Sequence, residues 1–321
     1  MTCRIARPIR SGECTILPFS ACAHGGGARR LDGVSLDELR TLIGSWRGEP
    51  PIDGLLLSVV DRVTAPTPLL TGPVVALVAQ GAKCAVLGDR TYEYGAGQYL
   101  AVSVDLPVTG NFTRASPAEP FLGVGLELSP AAIADLLLET ESGDRRGVTH
   151  PGITVSHAPA ELLDAFVRLL RLLDRPDDVP VLAPMIKREI LWRLVTGPQG
   201  AMVRQIGLAD SSLTHVGRAI RWIREHHTET LRIERLAELA RMSPTSFHRH
   251  FRTVTAMTPV QYQKRIRLHE ARLLLVDRTH DVATVGYLVG YESTSQFSRE
   301  YRRQFGVPPG RDAERLRGAT A

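Results

Sequence analysis

Two periodicities divide the 321-residue chain. Between residues 52 and 128 the apolar residues fall in short runs, rich in Val, Leu and Tyr and broken by Gly, Pro and Asp. The runs are 55–60, 74–80, 84–87, 91–94, 98–104, 112–114 and 122–128. Seven or so short strands at this spacing predict a small antiparallel barrel or sandwich, and Gly88-Asp89 between two of them reads as a hairpin turn. On either side the spacing turns helical. Residues 35–46 read as a short amphipathic helix, with Ser35 as cap and Glu38 completing a capping box. Residues 130–147, 158–174 and 180–196 read as three more. The second of these carries the stripe Leu162, Phe166, Leu169, Leu170 and Leu173. Gly197-Pro198-Gln199-Gly200 is the best linker candidate.

Beyond the linker one helical unit is written twice. Residues 236–251 and 285–301 each hold an apolar helix, a short turn and a second helix, the pattern of a helix-turn-helix. The second helices superpose with a constant offset: Phe247 on Phe297, Phe251 on Tyr301, Pro259 on Pro309. The turn of the second copy is one residue longer. Phe247 and Phe251 share one face, as do Phe297, Tyr301 and Phe305. Another face of the first copy carries Thr245, His248, Arg249 and Arg252, and the matching face of the second carries Ser295, Ser298, Arg299 and Arg302. Hydroxyls, imidazole and guanidinium in that arrangement can bond base edges and phosphates in a major groove. A lone copy would read as a solvated helical face. Repeat arrays need at least three units, so two copies fit a split DNA site better. The helix over 261–275 ties them, and if rigid it would set the pair about one DNA turn apart, near roughly 34 Å.

Charge follows the same division. Residues 211–321 hold 19 Lys+Arg and 11 Asp+Glu, net +8, while the remainder is net −3. The surplus positive charge therefore accompanies the repeat, as in a phosphate-binding module. The four cysteines (Cys3, Cys14, Cys22 and Cys84) include no CxxC, so reduced thiols in a cytoplasmic protein are the expectation. No apolar stretch approaches about 20 residues, and no membrane span is expected. Residues 1–30 read as a flexible arm.

Two resemblances sharpen this reading. Val285-Gly286-x-x-x-Gly290-Tyr291-x-Ser293-x-x-x-Phe297-Ser298-Arg299-x-Tyr301-Arg302-x-x-Phe305-Gly306-x-x-Pro309, with Arg267-Leu268-His269-Glu270-Ala271-Arg272-Leu273-Leu274 before it, resembles the signature of AraC-type (AraC/XylS) transcription regulators. The chain departs at Ala256, where the family has Gly, at Gly286, where Ala is usual, and at Arg232, where an N-cap hydroxyl is common. Independently, Gln80-Gly81-x-Lys83, Tyr92-x-Tyr94-x-x-Gly97-x-Tyr99-Leu100, Val104–Val108 and Pro120-Phe121-Leu122 resemble the cupin-like N-terminal domain of one subgroup of that family.

The resemblance implies an α+β protein. It would have a cupin-like antiparallel β-barrel with trailing helices, then an all-α domain with two helix-turn-helix motifs. The expected units are an arm at 1–30, a sensor and dimerisation domain at 31–197, a linker at 198–211 and a DNA-binding domain at 212–321. Carried over residue by residue, the base-reading set is Thr245, His248, Arg249, Thr294, Ser295, Gln296 and Arg299. Arg252, Arg302 and Arg303 are the phosphate contacts. Apart from the resemblance, alternation along the strand puts Tyr92 and Tyr94 on one face, and with Gln80 and Tyr99 they would line an effector pocket or, equally, form ordinary barrel core. The implied partners are double-stranded DNA, a small-molecule effector, a second copy of the chain and RNA polymerase, with no cofactor and no metal. An enzyme built on the barrel is disfavoured, because metal cupins need a cluster of histidines and none occurs between His24 and His150. The rival of another class is a sensor that acts mainly through protein–protein contact. A salt series separates them, since a DNA binder loses affinity steeply with salt.

Overall fold

The structure, a computed structural model, describes residues 29–139, 150–208, 211–276 and 280–319. It opens with helix α1 (Arg29–Ser45), which starts earlier than expected, so Ser35 lies inside the helix rather than capping it. The last two residues of the expected arm thus belong to α1; the rest of the arm, with Cys3, Cys14 and Cys22, lies outside the described residues.

The strand region holds β1 (Leu55–Val60), β2 (Thr67–Thr71), β3 (Val74–Gln80), β4 (Ala82–Leu87), β5 (Arg90–Gly95), β6 (Gln98–Val102), β7 (Leu106–Arg114) and β8 (Phe121–Glu127). After helix α2 (Pro130–Glu139), β9 (Ile153–His157) completes two sheets, ordered β1-β8-β3-β6-β9 and β2-β7-β4-β5, with every pairing antiparallel. The hairpin at Gly88-Asp89 joins β4 to β5, with Leu87 opposite Arg90. Two strands escaped the sequence pattern. β2, which contains Pro68, lies on a sheet edge, where proline is tolerated in a strand. β9 is also an edge strand, five residues long. The remaining part of the helix expected at 130–147 falls outside the described residues.

Helices α3 (Ala160–Arg171) and α4 (Val179–Thr196) follow, joined by two short 3₁₀ turns at the predicted break. α3 packs on α1, with Leu162, Phe166, Leu169 and Leu170 buried beside Leu39 and Ile43. Arg171 clasps Glu38 across this contact through two bonds of 2.7 and 2.9 Å. The expected linker is not an open strand of chain: helix α5 (Gly200–Gly207) occupies it and packs on α2 and α4.

The C-terminal part is helical throughout: α6 (Ser212–Glu225), α7 (Ile233–Leu239), α8 (Pro244–Thr255), α9 (Pro259–Val276), α10 (Val282–Leu288), α11 (Thr294–Phe305) and α12 (Pro309–Ala319). α7 and α8 form the first helix-turn-helix; α10 and α11 form the second. The apolar core does not respect the expected boundary. One cluster runs from the sheets through α6, α8 and the first half of α9 to Ile266. A second, separate cluster holds Leu268, Ala271, Leu275, Val285, Val289, Tyr291, Phe297, Tyr301 and Ala313.

Candidate nucleic-acid interface

Each recognition helix is started by its own sequence. Ser243 accepts from the Ser246 N–H and Pro244 takes the first helical position; Ser293 accepts from the Gln296 N–H. Arg232, before α7, supplies no such cap. Aromatic rings then anchor the inner faces. Phe247 and Phe251 pack tilted with ring centres 5.4 Å apart, and Phe251 meets Tyr262 of α9 edge-on at 5.7 Å. In the second unit Phe297–Tyr301 and Tyr301–Phe305 stand 5.6 and 4.4 Å apart.

With those faces buried, the opposite faces are turned outward. Thr245, His248, Arg249, Ser295, Gln296 and Arg299 are exposed, while Thr294 is half-buried at the start of α11. Arg252, Arg302 and Arg303 are exposed as well. Arg168, Arg171, Arg224 and Arg272 are held by carboxylates. Among the described residues Arg249, Arg252, Arg299, Arg302 and Arg303 have no carboxylate partner. Five uncompensated guanidiniums on two outward faces make a surface suited to an anionic polymer.

Gln296 is the exception within the set, because its amide donates to Glu300 Oε1 at 3.3 Å. Glu300 also receives Lys264 Nζ at 2.7 Å and the Tyr291 hydroxyl at 2.9 Å. Burial alone would raise the Glu300 carboxyl, yet these three donors outweigh it and hold it below the usual carboxylate range. Gln296 would have to leave this group to read a base.

Between α8, α9 and α11 lies a cleft of ≈ 650 Å³ lined by Arg252, Lys264, Arg265 and Arg303, with Gly88 and Asp89 of the β4–β5 hairpin at its rim. Sequence reading missed Arg265 and Lys264, since it treated α9 only as a tie. The three- and four-residue spacing of Gln261, Lys264 and Arg265 along that helix was the available signal.

The first recognition helix is seated on the sheets at its C-terminal end. Arg90 donates to the Thr253 carbonyl at 3.4 Å and the Gly152 N–H to the Val254 carbonyl at 2.9 Å. The Tyr262 hydroxyl donates to the Asp105 carbonyl at 2.8 Å, and Arg224 pairs with the Asp105 carboxylate at 2.5 Å.

The four residues expected around an effector come from β3, β5 and β6, in both sheets. Tyr92 and Tyr94 share a face of β5, and Tyr94 stands opposite Lys83 on β4. Tyr99 belongs to the other sheet, opposite Ser156. The Gln80 amide is committed to the Pro120 carbonyl at 2.8 Å. The alternation read from sequence fixed which side chains share a strand face, but not which sheet each strand joins. Lys83 itself was missed. Its ammonium lies 5.1 Å from the centre of the Phe112 ring, and among the described residues it has no carboxylate partner. Burial pulls it below the ordinary lysine range.

Residues 51–202 match the family model for the AraC-type transcriptional regulator N-terminus, and residues 236–315 match a helix-turn-helix domain. The HTH-type transcriptional activator RhaS of Salmonella schwarzengrund is 29% identical over 154 residues, covering 46% of this chain and 54% of RhaS. RhaS of Salmonella paratyphi B gives the same figures. The chain thus spans about half the length of the curated relatives it matches. Among solved structures, ToxT from Vibrio cholerae strain SCE256 with a bound unsaturated fatty acid has a TM-score of 0.54 at 11% identity, covering 85% of this chain and 99% of ToxT. ToxT from Vibrio cholerae O395 bound to a methylnaphthalenyl butenoic acid has a TM-score of 0.54 at 10% identity, covering 82% of this chain and 100% of ToxT. At such identity the likeness is one of fold.

Proposed function

This chain belongs to the AraC-type transcription regulators, and from that premise we propose that it binds a two-box DNA site in a sequence-specific manner. The observation that carries this is the pair of capped, aromatic-backed helices whose exposed faces hold five arginines without carboxylate partners. Thr245, His248 and Arg249 would read one major groove; Thr294, Ser295, Gln296 and Arg299 would read the next. Arg252, Arg302 and Arg303 would hold phosphates. Selection of bound duplexes from a random pool, followed by a gel-shift salt series, tests it. The expected result is a site with two boxes about one turn apart and an affinity that falls steeply with salt. Binding that is weak and indifferent to sequence would favour the rival protein–protein sensor.

The N-terminal half would supply control through a small-molecule effector and a second copy of the chain. Lys83, with Tyr92 and Tyr94 on the same strand faces, favours an effector with an acidic group and an apolar body. ToxT, similar in fold, is seen with ligands of that kind. The Lys83→Met variant would then lose the thermal shift that such a ligand induces. For self-association, α4 exposes Val181, Met185 and Trp192 at 66%, 64% and 37% on the face opposite its buried Ile190 and Leu194. Concentration-dependent mass that disappears on Met185→Glu would support that contact.

A further inference from the structure

We propose that Arg267 fixes the length of DNA spacer that the two helix-turn-helix units accept. This deepens the two-box reading above and rests on it, but assigns the role to a residue that reads no base.

Arg267 stands near the middle of α9 and bonds backbone carbonyls of both units at once. Its Nε donates to His227 O at 2.6 Å, and its Nη2 donates to Thr228 O at 3.2 Å and Glu229 O at 3.1 Å. Those three carbonyls follow the end of α6 and lead into α7, so they belong to the first unit. Its Nη1 donates to Gly290 O at 2.7 Å, in the turn before α11. Gln263, one helical turn earlier, reinforces the first side through His227 O at 3.0 Å and Glu229 O at 2.7 Å. The Tyr291 ring covers the guanidinium at 5.9 Å, and no carboxylate bonds it among the described residues. The group therefore serves carbonyls rather than a charge partner.

The units also touch directly at this point. Gly290 has φ +89, and a Cβ there would lie 2.7 Å from Thr228 O and 2.9 Å from Thr228 Cα. A side chain would have to push the units apart.

Two connections therefore run in parallel between the recognition helices. One is α9, held to the second unit by Lys264–Glu300 and Arg272–Asp312. The other is the Arg267 clasp. A single helix leaves bending free, whereas a second link closes the frame, so any rotation of one unit must break the fork of bonds together. The planar guanidinium offers five donors in fixed geometry, which an ammonium does not. One added base pair moves a box by about 3.4 Å and turns it by about 35°. With the frame closed, that error falls on the DNA; with the frame open, the protein absorbs it.

The test uses the full chain and a duplex drawn by the wild type from a random pool, remade with one or two base pairs added to or removed from the spacer. The variants are Arg267→Ala, Arg267→Lys and Gly290→Ala, each checked for native circular dichroism. The wild type is expected to lose about tenfold or more in affinity for one base pair of spacer error. Arg267→Ala should lose no more than about threefold for the same error. Arg267→Lys should fall between, and Gly290→Ala should shift the preferred spacer. Base preference within each box should stay unchanged in all three, which a general loss of fold would not allow. If Arg267→Ala does not fold, the Lys and Gly290 variants decide alone. Spacer profiles identical to wild type in every folded variant overturn the clasp. A wild type that selects no two-box site overturns the two-box reading, and the clasp with it.

Discussion

The two helix-turn-helix units begin from nearly the same sequence pattern and end with different support. The first shares its core with the sheets: Phe247, Phe251 and Tyr262 belong to the cluster that also holds Val75 and Leu126. Its recognition helix is bonded to Arg90 and Gly152, and its connecting helix to Asp105. The second rests on a small cluster of its own and on one buried charge. Asp312, 0% exposed, accepts from Arg272 at 2.9 Å, from the Tyr301 hydroxyl at 3.0 Å and from Arg315 at 2.9 Å. A local pattern thus sets the shape of each unit, while tertiary contacts decide where its stability comes from. The first unit is tied to the sheet region by backbone and side-chain bonds.

The largest test of this contrast is Asp312→Ala. It leaves Arg272 and the Tyr301 hydroxyl buried without their acceptor, a loss of about 3–5 kcal/mol. Hydrogen exchange should show protection falling in α10–α12 and persisting in α6–α8. Equal loss in both units would mean that they fold as one.

Next is Arg299→Ala, expected to weaken specific binding by about 1–3 kcal/mol and to relax the preference at one position of the second box only. Unchanged discrimination between a selected site and random duplex would remove Arg299 from the base-reading set.

The helix ends offer a mirrored pair. α8 ends on Ala256 in the left-handed conformation (φ 54), whereas α11 ends on Gly306 (φ 78). Left-handed backbone costs an L side chain roughly 1–2 kcal/mol. Gly306→Ala should therefore destabilise the second unit by about that amount, and Ala256→Gly should stabilise the first by somewhat less, since glycine loses more freedom on folding. Thermal or urea unfolding of the two variants checks the opposite signs.

The smallest expected effect is Tyr262→Phe, which deletes one hydrogen bond between α9 and the Asp105 carbonyl at a cost of about 1 kcal/mol. Its signature is its place: faster exchange at the seat of the first unit, with the second unaffected.

Much of this was legible in the sequence. The doubled unit, both aromatic stripes, the Ser243-Pro244 start, the hairpin at Gly88-Asp89 and all seven strand runs rest on local rules of period and turn chemistry, and they appear where those rules put them. The departures were informative too. Ala256 does sit in the left-handed region, and at Gly286 the Phe297 ring packs so close that a Cβ would be crowded at 3.1 Å. Other features were not legible. β2, which contains Pro68, was not read as a strand, and the expected linker proved to be α5 because its apolar face is recognised only by what it packs against. Alternation put Tyr92 and Tyr94 on one face of a strand, but it did not say that β5 joins one sheet while Gln80 and Tyr99 join the other.

The amino-acid order alone determined most of the helices and strands, β2, β9 and α5 excepted, and which side chains two similar helices turn outward. Those properties depend on neighbours within a few residues. Only the tertiary structure decided that one core runs unbroken from the sheets into the first unit, and that Arg267 joins carbonyls from chain segments about forty and twenty residues away. Such contacts depend on how whole elements pack, and no local period encodes that.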